Sequence, residues 1–60
     1  MKIDNICGYE SIIITENSDE TAKVEIHVNK TQTLEKTFKV KTDDKGRFIN
    51  FENVRIYLGD

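Results

Sequence analysis

Proline and tryptophan are absent from this 60-residue chain, and cysteine and methionine occur once each. The lone Cys7 rules out an intramolecular disulfide, so the staple common in small secreted domains is missing and a cytoplasmic location is expected. No stretch has the length of a membrane-spanning helix, and no apolar h-region follows the N-terminus, so neither membrane contact nor secretion is expected. Asn29-Lys30-Thr31 spells a glycosylation sequon, which carries little meaning without a secretory route. No Gly/Ser linker, repeat or low-complexity run divides residues 1–60, which read as one small domain. Helical periodicity is missing too, so no amphipathic helix is available to cover a sheet.

What remains is alternation. Phe38 and Val40, then Ile49 and Phe51, then Val54, Ile56 and Leu58 alternate with Lys39, Lys41, Asn50, Arg55 and Tyr57 across two turn signals. Period-2 patterning of this kind predicts a three-stranded antiparallel meander with one apolar face. Asp43-Asp44-Lys45-Gly46 reads as a type I turn with a left-handed exit at the glycine. It sets Val40 opposite Ile49, Phe38 opposite Phe51 and Lys41 opposite Phe48. A two-residue Glu52-Asn53 turn sets Phe51 opposite Val54, Ile49 opposite Ile56 and Phe48 opposite Tyr57. Both turns sort the strands onto the same two faces, whereas a one-residue slip would place Val40 opposite Asn50.

The first half follows the same pattern. Ala22, Val24, Ile26 and Val28 alternate with Lys23, Glu25 and His27, and a loop from Asn29 to Thr33 sets Val28 opposite Leu34 and Val24 opposite Phe38. That register places Lys36 opposite Ile26 on the apolar face, which an edge position would tolerate because the lysine can snorkel. Residues 9–15 form another strand, whose Ile12-Ile13-Ile14 run leaves its register open and calls for cover on both faces or a bulge. Ile3 and Ile6 fit either a short strand or one helical turn ahead of Gly8. The expected fold is therefore all-β, a small five-stranded antiparallel meander. With no helix to cover its apolar face, it should either dimerise as an open sheet or curl into a partly closed barrel. Phe38, Phe51, Val24, Val40, Ile49, Val54 and Ile56 are the expected core.

Charge is unevenly spread. Residues 1–20 carry one lysine against five acids, net −4, and residues 21–60 carry eight bases against six acids, net +2, giving −2 in all. An acidic total argues against a general nucleic-acid binder, whose affinity grows with phosphate neutralisation. A local site remains open on the outer face of the meander, where Lys39, Lys41 and Arg55 share a surface with Phe48, Asn50 and Tyr57. Tyr, Phe and Arg are enriched where proteins meet, so a protein partner is expected there. The alternative partner is single-stranded nucleic acid, whose bases would stack on the aromatics. The same pair, Phe48 and Tyr57, also reads as a cross-strand contact that stabilises the hairpin.

Catalytic and metal-binding patterns are lacking. Cys7 and His27 have no ligand spacing, no base accompanies a nucleophile, and Asp43-Asp44 belongs to a turn, so neither enzymatic activity nor a metal or cofactor is expected. His27 points away from the apolar face, with Glu35 as its expected partner. Glu16, Asp19 and Glu20 form an acidic loop that reads as solvated, or as an alternative contact for a basic partner. The sequence thus points to a homodimeric protein-binding module of the accessory kind that phages and mobile elements encode.

Overall fold

The computed structural model describes residues 1–59, which are all-β. β1 (Lys2–Ile6), β2 (Tyr9–Glu16), β3 (Thr21–His27) and β4 (Thr33–Lys39) form a four-stranded sheet in chain order. β5 (Lys41–Asp43), β6 (Gly46–Phe51) and β7 (Val54–Tyr57) form a three-stranded sheet, also in chain order. All neighbours are antiparallel, and both sheets are open rather than closed into a barrel. None of the described residues forms a helix long and apolar enough to cross a membrane.

Among the described residues there are seven strands rather than five, for two reasons. Residues 2–6 pair with β2 instead of making a helical turn. The strand expected to run unbroken through Val40 bends there and changes sheets. The Val40 N–H donates to the Glu20 carbonyl at 2.9 Å, continuing the β3 ladder, while Lys41 already lies opposite Phe48 in the other sheet. Strands that switch sheets make the corners of packed β structures. Here the corner lays one sheet on the other around a single core. Ile12, Ile14, Ala22, Val24 and Ile26 come from the first sheet, and Ile49, Phe51, Ile56 and Leu58 from the second region. The apolar face that called for a barrel or a second copy is covered by the chain's own C-terminal meander.

Turn chemistry fixes most of the register. Phe51 lies opposite Val54, Ile49 opposite Ile56, Phe48 opposite Tyr57 and Lys41 opposite Phe48, as expected. Asp43 Oδ1 accepts from the Lys45 N–H at 2.8 Å, and Gly46 takes φ +124°, which relieves the turn exit. The expected pairs Val40–Ile49 and Phe38–Phe51 do not form, because the strand bends before reaching them. Phe38 lies opposite Ala22, and its ring meets Phe51 across the sheets at 5.7 Å between centroids.

Between β3 and β4 the register differs from expectation by two residues, with Ile26 opposite Leu34, Val24 opposite Lys36 and Ala22 opposite Phe38. The loop keeps five residues but begins at Val28 rather than Asn29, and Asn29 holds it closed. Its Oδ1 accepts from the backbone N–H of both Thr31 and Gln32, and Val28 N–H donates to the Gln32 carbonyl. A shift of two keeps every side chain on its face. Lys36 is exposed, and β4 is an edge strand. The triple isoleucine resolves by simple alternation, with Ile12 and Ile14 buried and Ile13 half-exposed between Lys2 and Glu25.

Three members of the expected core are less buried than the pattern implies, among them Val40, which is half-buried at the bend. Phe38 is half-buried, and Val54 is 39% exposed because β7 is an edge. At the β1–β2 hairpin, Cys7 and Gly8 both have positive φ, the signature of a type I′ turn. Just before it Asn5, at φ +53°, interrupts the ladder, and Ile6 and Tyr9 pack against the core beyond that point. Tyr9 sets its ring 5.9 Å from Phe51 and donates its hydroxyl to Glu52 Oε2 at 3.0 Å. That acceptor holds the phenol above its ordinary pKa.

Candidate protein-interaction face

The outer face of the three-stranded sheet carries Lys41, Asp43, Gly46, Phe48, Asn50, Arg55 and Tyr57, the residues that alternate with its core side. Lys41, Phe48 and Tyr57 make one row across the three strands, and Asn50 faces Arg55 in the next. Lys39 stands apart. It ends β4 opposite Thr21 in the larger sheet, two residues before Lys41 on the other side of the Val40 bend.

Although it lies on the outer face, Phe48 is only 5% exposed, contrary to the expected open platform. Its cover comes from its own neighbours. The Arg55 guanidinium carbon sits 4.2 Å above the Phe48 ring centroid, and the Tyr57 ring packs at 5.6 Å with a 57° tilt. Such cation–π and tilted aromatic contacts are favourable because the ring face is electron-rich and its edge is positive.

Asp43 joins these side chains into one unit. Its Oδ2 accepts from the Tyr57 hydroxyl at 2.7 Å and from Arg55 Nη1 at 3.0 Å, while its other oxygen closes the turn. The Tyr57 hydrogen bond foremost, helped by the Lys45 amide and the Arg55 charge, holds the Asp43 carboxyl below its ordinary pKa. By sequence Asp43 belongs to the turn alone. The signal that places it on this face is parity, since Asp43 is two residues from Lys41. Reading residues 43–46 as loop concealed that parity.

The acidic residues Glu16, Asp19 and Glu20 do not form one surface. Glu16 pairs with Arg47 of β6 and ties the ends of the two sheets together. Asp19 accepts a hydrogen bond from the Thr21 hydroxyl inside its loop, and Glu20 is held at φ +64° with its carbonyl bound to Val40. His27 Nε2 lies 2.8 Å from Glu25 Oε2 on its own strand, not against Glu35, which pairs with Lys23 at 3.7 Å. Cys7 is exposed at a hairpin tip. A cleft of about 340 Å³ is lined by Met1, Ile14, Thr15, Glu16 and Leu58.

Comparison of the chain with protein-family models, with curated proteins and with solved structures finds no match.

Proposed function

We propose that this protein is a non-enzymatic binding module that engages a protein partner through the outer face of its three-stranded sheet. In so doing it modulates a larger assembly, as accessory proteins of phages and mobile elements do. One observation carries the reading: Phe48, Arg55, Tyr57 and Asp43 are already locked to one another in the free chain. Side chains ordered before association lose less entropy on binding, and Arg and Tyr are the residues that most often dominate interface energetics. Lys41 and Asn50 rim the cluster, with Lys39 beyond the bend, and all three are exposed.

The same cluster favours a protein over a single-stranded nucleic acid. Base stacking needs open aromatic faces and free cations. Phe48 is covered, and Arg55 is paired with Asp43, leaving the half-buried Tyr57 as the one aromatic surface of the patch. The expected result is that a fluorescent oligothymidylate shows no saturable anisotropy change at physiological salt. A protein captured from the source cells should bind the wild type, and Tyr57→Ala and Arg55→Ala should each weaken it by roughly 1 to 3 kcal/mol. Undiminished binding by both variants, with loss in a folded Glu16→Ala protein, would move the site to the acidic loop.

A further inference from the structure

We infer a second, self-complementary surface at the free edge of β4, through which two copies of this chain pair antiparallel about Thr37. Val28 N–H donates to the Gln32 carbonyl and Val40 N–H to the Glu20 carbonyl, both in the register that joins β3 to β4. Backbone groups in an antiparallel ladder alternate between inward and outward pairs. The even-numbered residues of β4 therefore bond to β3. The N–H and C=O groups of Thr33, Glu35, Thr37 and Lys39 point away from the sheet, at the end of its strand order.

An exposed row of this kind is a template for another strand unless it is guarded. The other edges are guarded or short. β1 is broken by the positive φ of Asn5, β5 has three residues and β7 has four. β4 has seven, all exposed except the half-buried Phe38, and Leu34 is 43% exposed on the side facing the core.

Charge then selects the occupant and the register. Two-fold pairing keeps each side chain on its own face only when residues of like parity stand opposite each other. Centring on Lys36 sets lysine against lysine, and centring on Glu35 sets glutamate against glutamate. Centring on Thr37 sets Glu35 opposite Lys39 of the second copy, twice over, and lays the Lys36 stem beside Phe38 of the second copy. Centring nearer the C-terminus runs past Val40, where the strand leaves the sheet. Lys36 thus acts as a guard against one alignment and is accommodated in the other. A strand-edge contact is smaller than a standard interface, so the dimer is expected to be weak.

Sedimentation equilibrium in reducing buffer, across micromolar to millimolar protein, tests this. A reversible dimer is expected in the wild type. Thr37→Pro removes an outward N–H without touching the β3 ladder and should abolish the dimer, with the circular dichroism spectrum retained. Glu35→Lys and Lys39→Glu should each weaken association roughly tenfold, since opposed like charges replace attraction, and the double exchange should restore it. Tyr57→Ala should leave the dimer intact, which separates this surface from the partner-binding face. A strictly monomeric wild type, a dimer unaffected by Thr37→Pro, or a charge exchange that fails to restore pairing would each overturn the proposal.

Discussion

Four residues other than glycine, Asn5, Cys7, Glu20 and Glu52, hold positive φ, a conformation that crowds an L side chain. Each closes or deforms a hairpin, so strain is concentrated at turns while the strands remain regular. Glu52 has a compensating contact through Tyr9, but among the described residues no side-chain hydrogen bond or ion pair engages Glu20. Replacing it with glycine removes the steric cost at the price of a more flexible unfolded chain. Glu20→Gly is therefore expected to raise stability by about 0.5–1 kcal/mol, read as a higher urea midpoint at unchanged slope. Asp43 gives a pH prediction at the same scale. Its carboxyl titrates below its unfolded value, so the stabilisation is present above the unfolded pKa and is lost as pH falls through the folded one. The melting temperature should accordingly drop in the acid range below about pH 4. Tyr57→Phe deletes the main cause of the depression, so the Asp43 midpoint should rise in a carbon-detected carboxyl titration. An unchanged midpoint would show that Tyr57 does not set it.

Elements were readable where a short turn and an alternating strand constrained each other. The β6–β7 hairpin matches because Phe51–Val54, Ile49–Ile56 and Phe48–Tyr57 follow from one two-residue turn. The β3–β4 hairpin was displaced because a single side chain, Asn29, holds closed a loop whose composition suits more than one starting residue. The Val40 bend had no local signal. Alternation continues straight through Phe38, Lys39, Val40 and Lys41, and the pressure to bend comes from an uncovered apolar face on the rest of the chain. Of the candidate face, the shared side of Lys41, Phe48, Asn50, Arg55 and Tyr57 was legible from parity, but not the separation of Lys39, the covering of Phe48 or the role of Asp43. If Asn29 sets the loop, Asn29→Ala should lose about 1 kcal/mol or more by leaving two backbone donors without their acceptor. Chemical denaturation measures that loss, and Lys30→Ala on the same loop, an exposed residue whose side chain makes no hydrogen bond or ion pair among the described residues, serves as the control.

On the scale of the whole molecule, the two sheets stay together through few residues, and Phe51 is central among them. It is fully buried on β6, with Tyr9 of β2 against one side of its ring and Phe38 of β4 against another. A 60-residue domain buries only about 60% of its extended surface, so little stability is held in reserve. Truncating a buried phenylalanine removes transfer energy and leaves a cavity, together about 3–5 kcal/mol. Phe51→Ala should therefore abolish the cooperative melt at 25 °C and above, whereas Phe38→Ala, at a half-buried site, should lower the midpoint and leave a folded protein. Because one core serves both sheets, they should also unfold together. Tyr9 of the larger sheet reports on its junction with Phe51 and Glu52, and Tyr57 reports on the smaller sheet, so single-tyrosine variants, Tyr9→Phe and Tyr57→Phe, can be followed by fluorescence. In each, the fluorescence transition should coincide with that variant's own far-ultraviolet dichroism transition. A Tyr57 signal that melts well before the dichroism would mean that the C-terminal meander is only loosely docked, and that Phe51 does not join the two sheets into one folding unit.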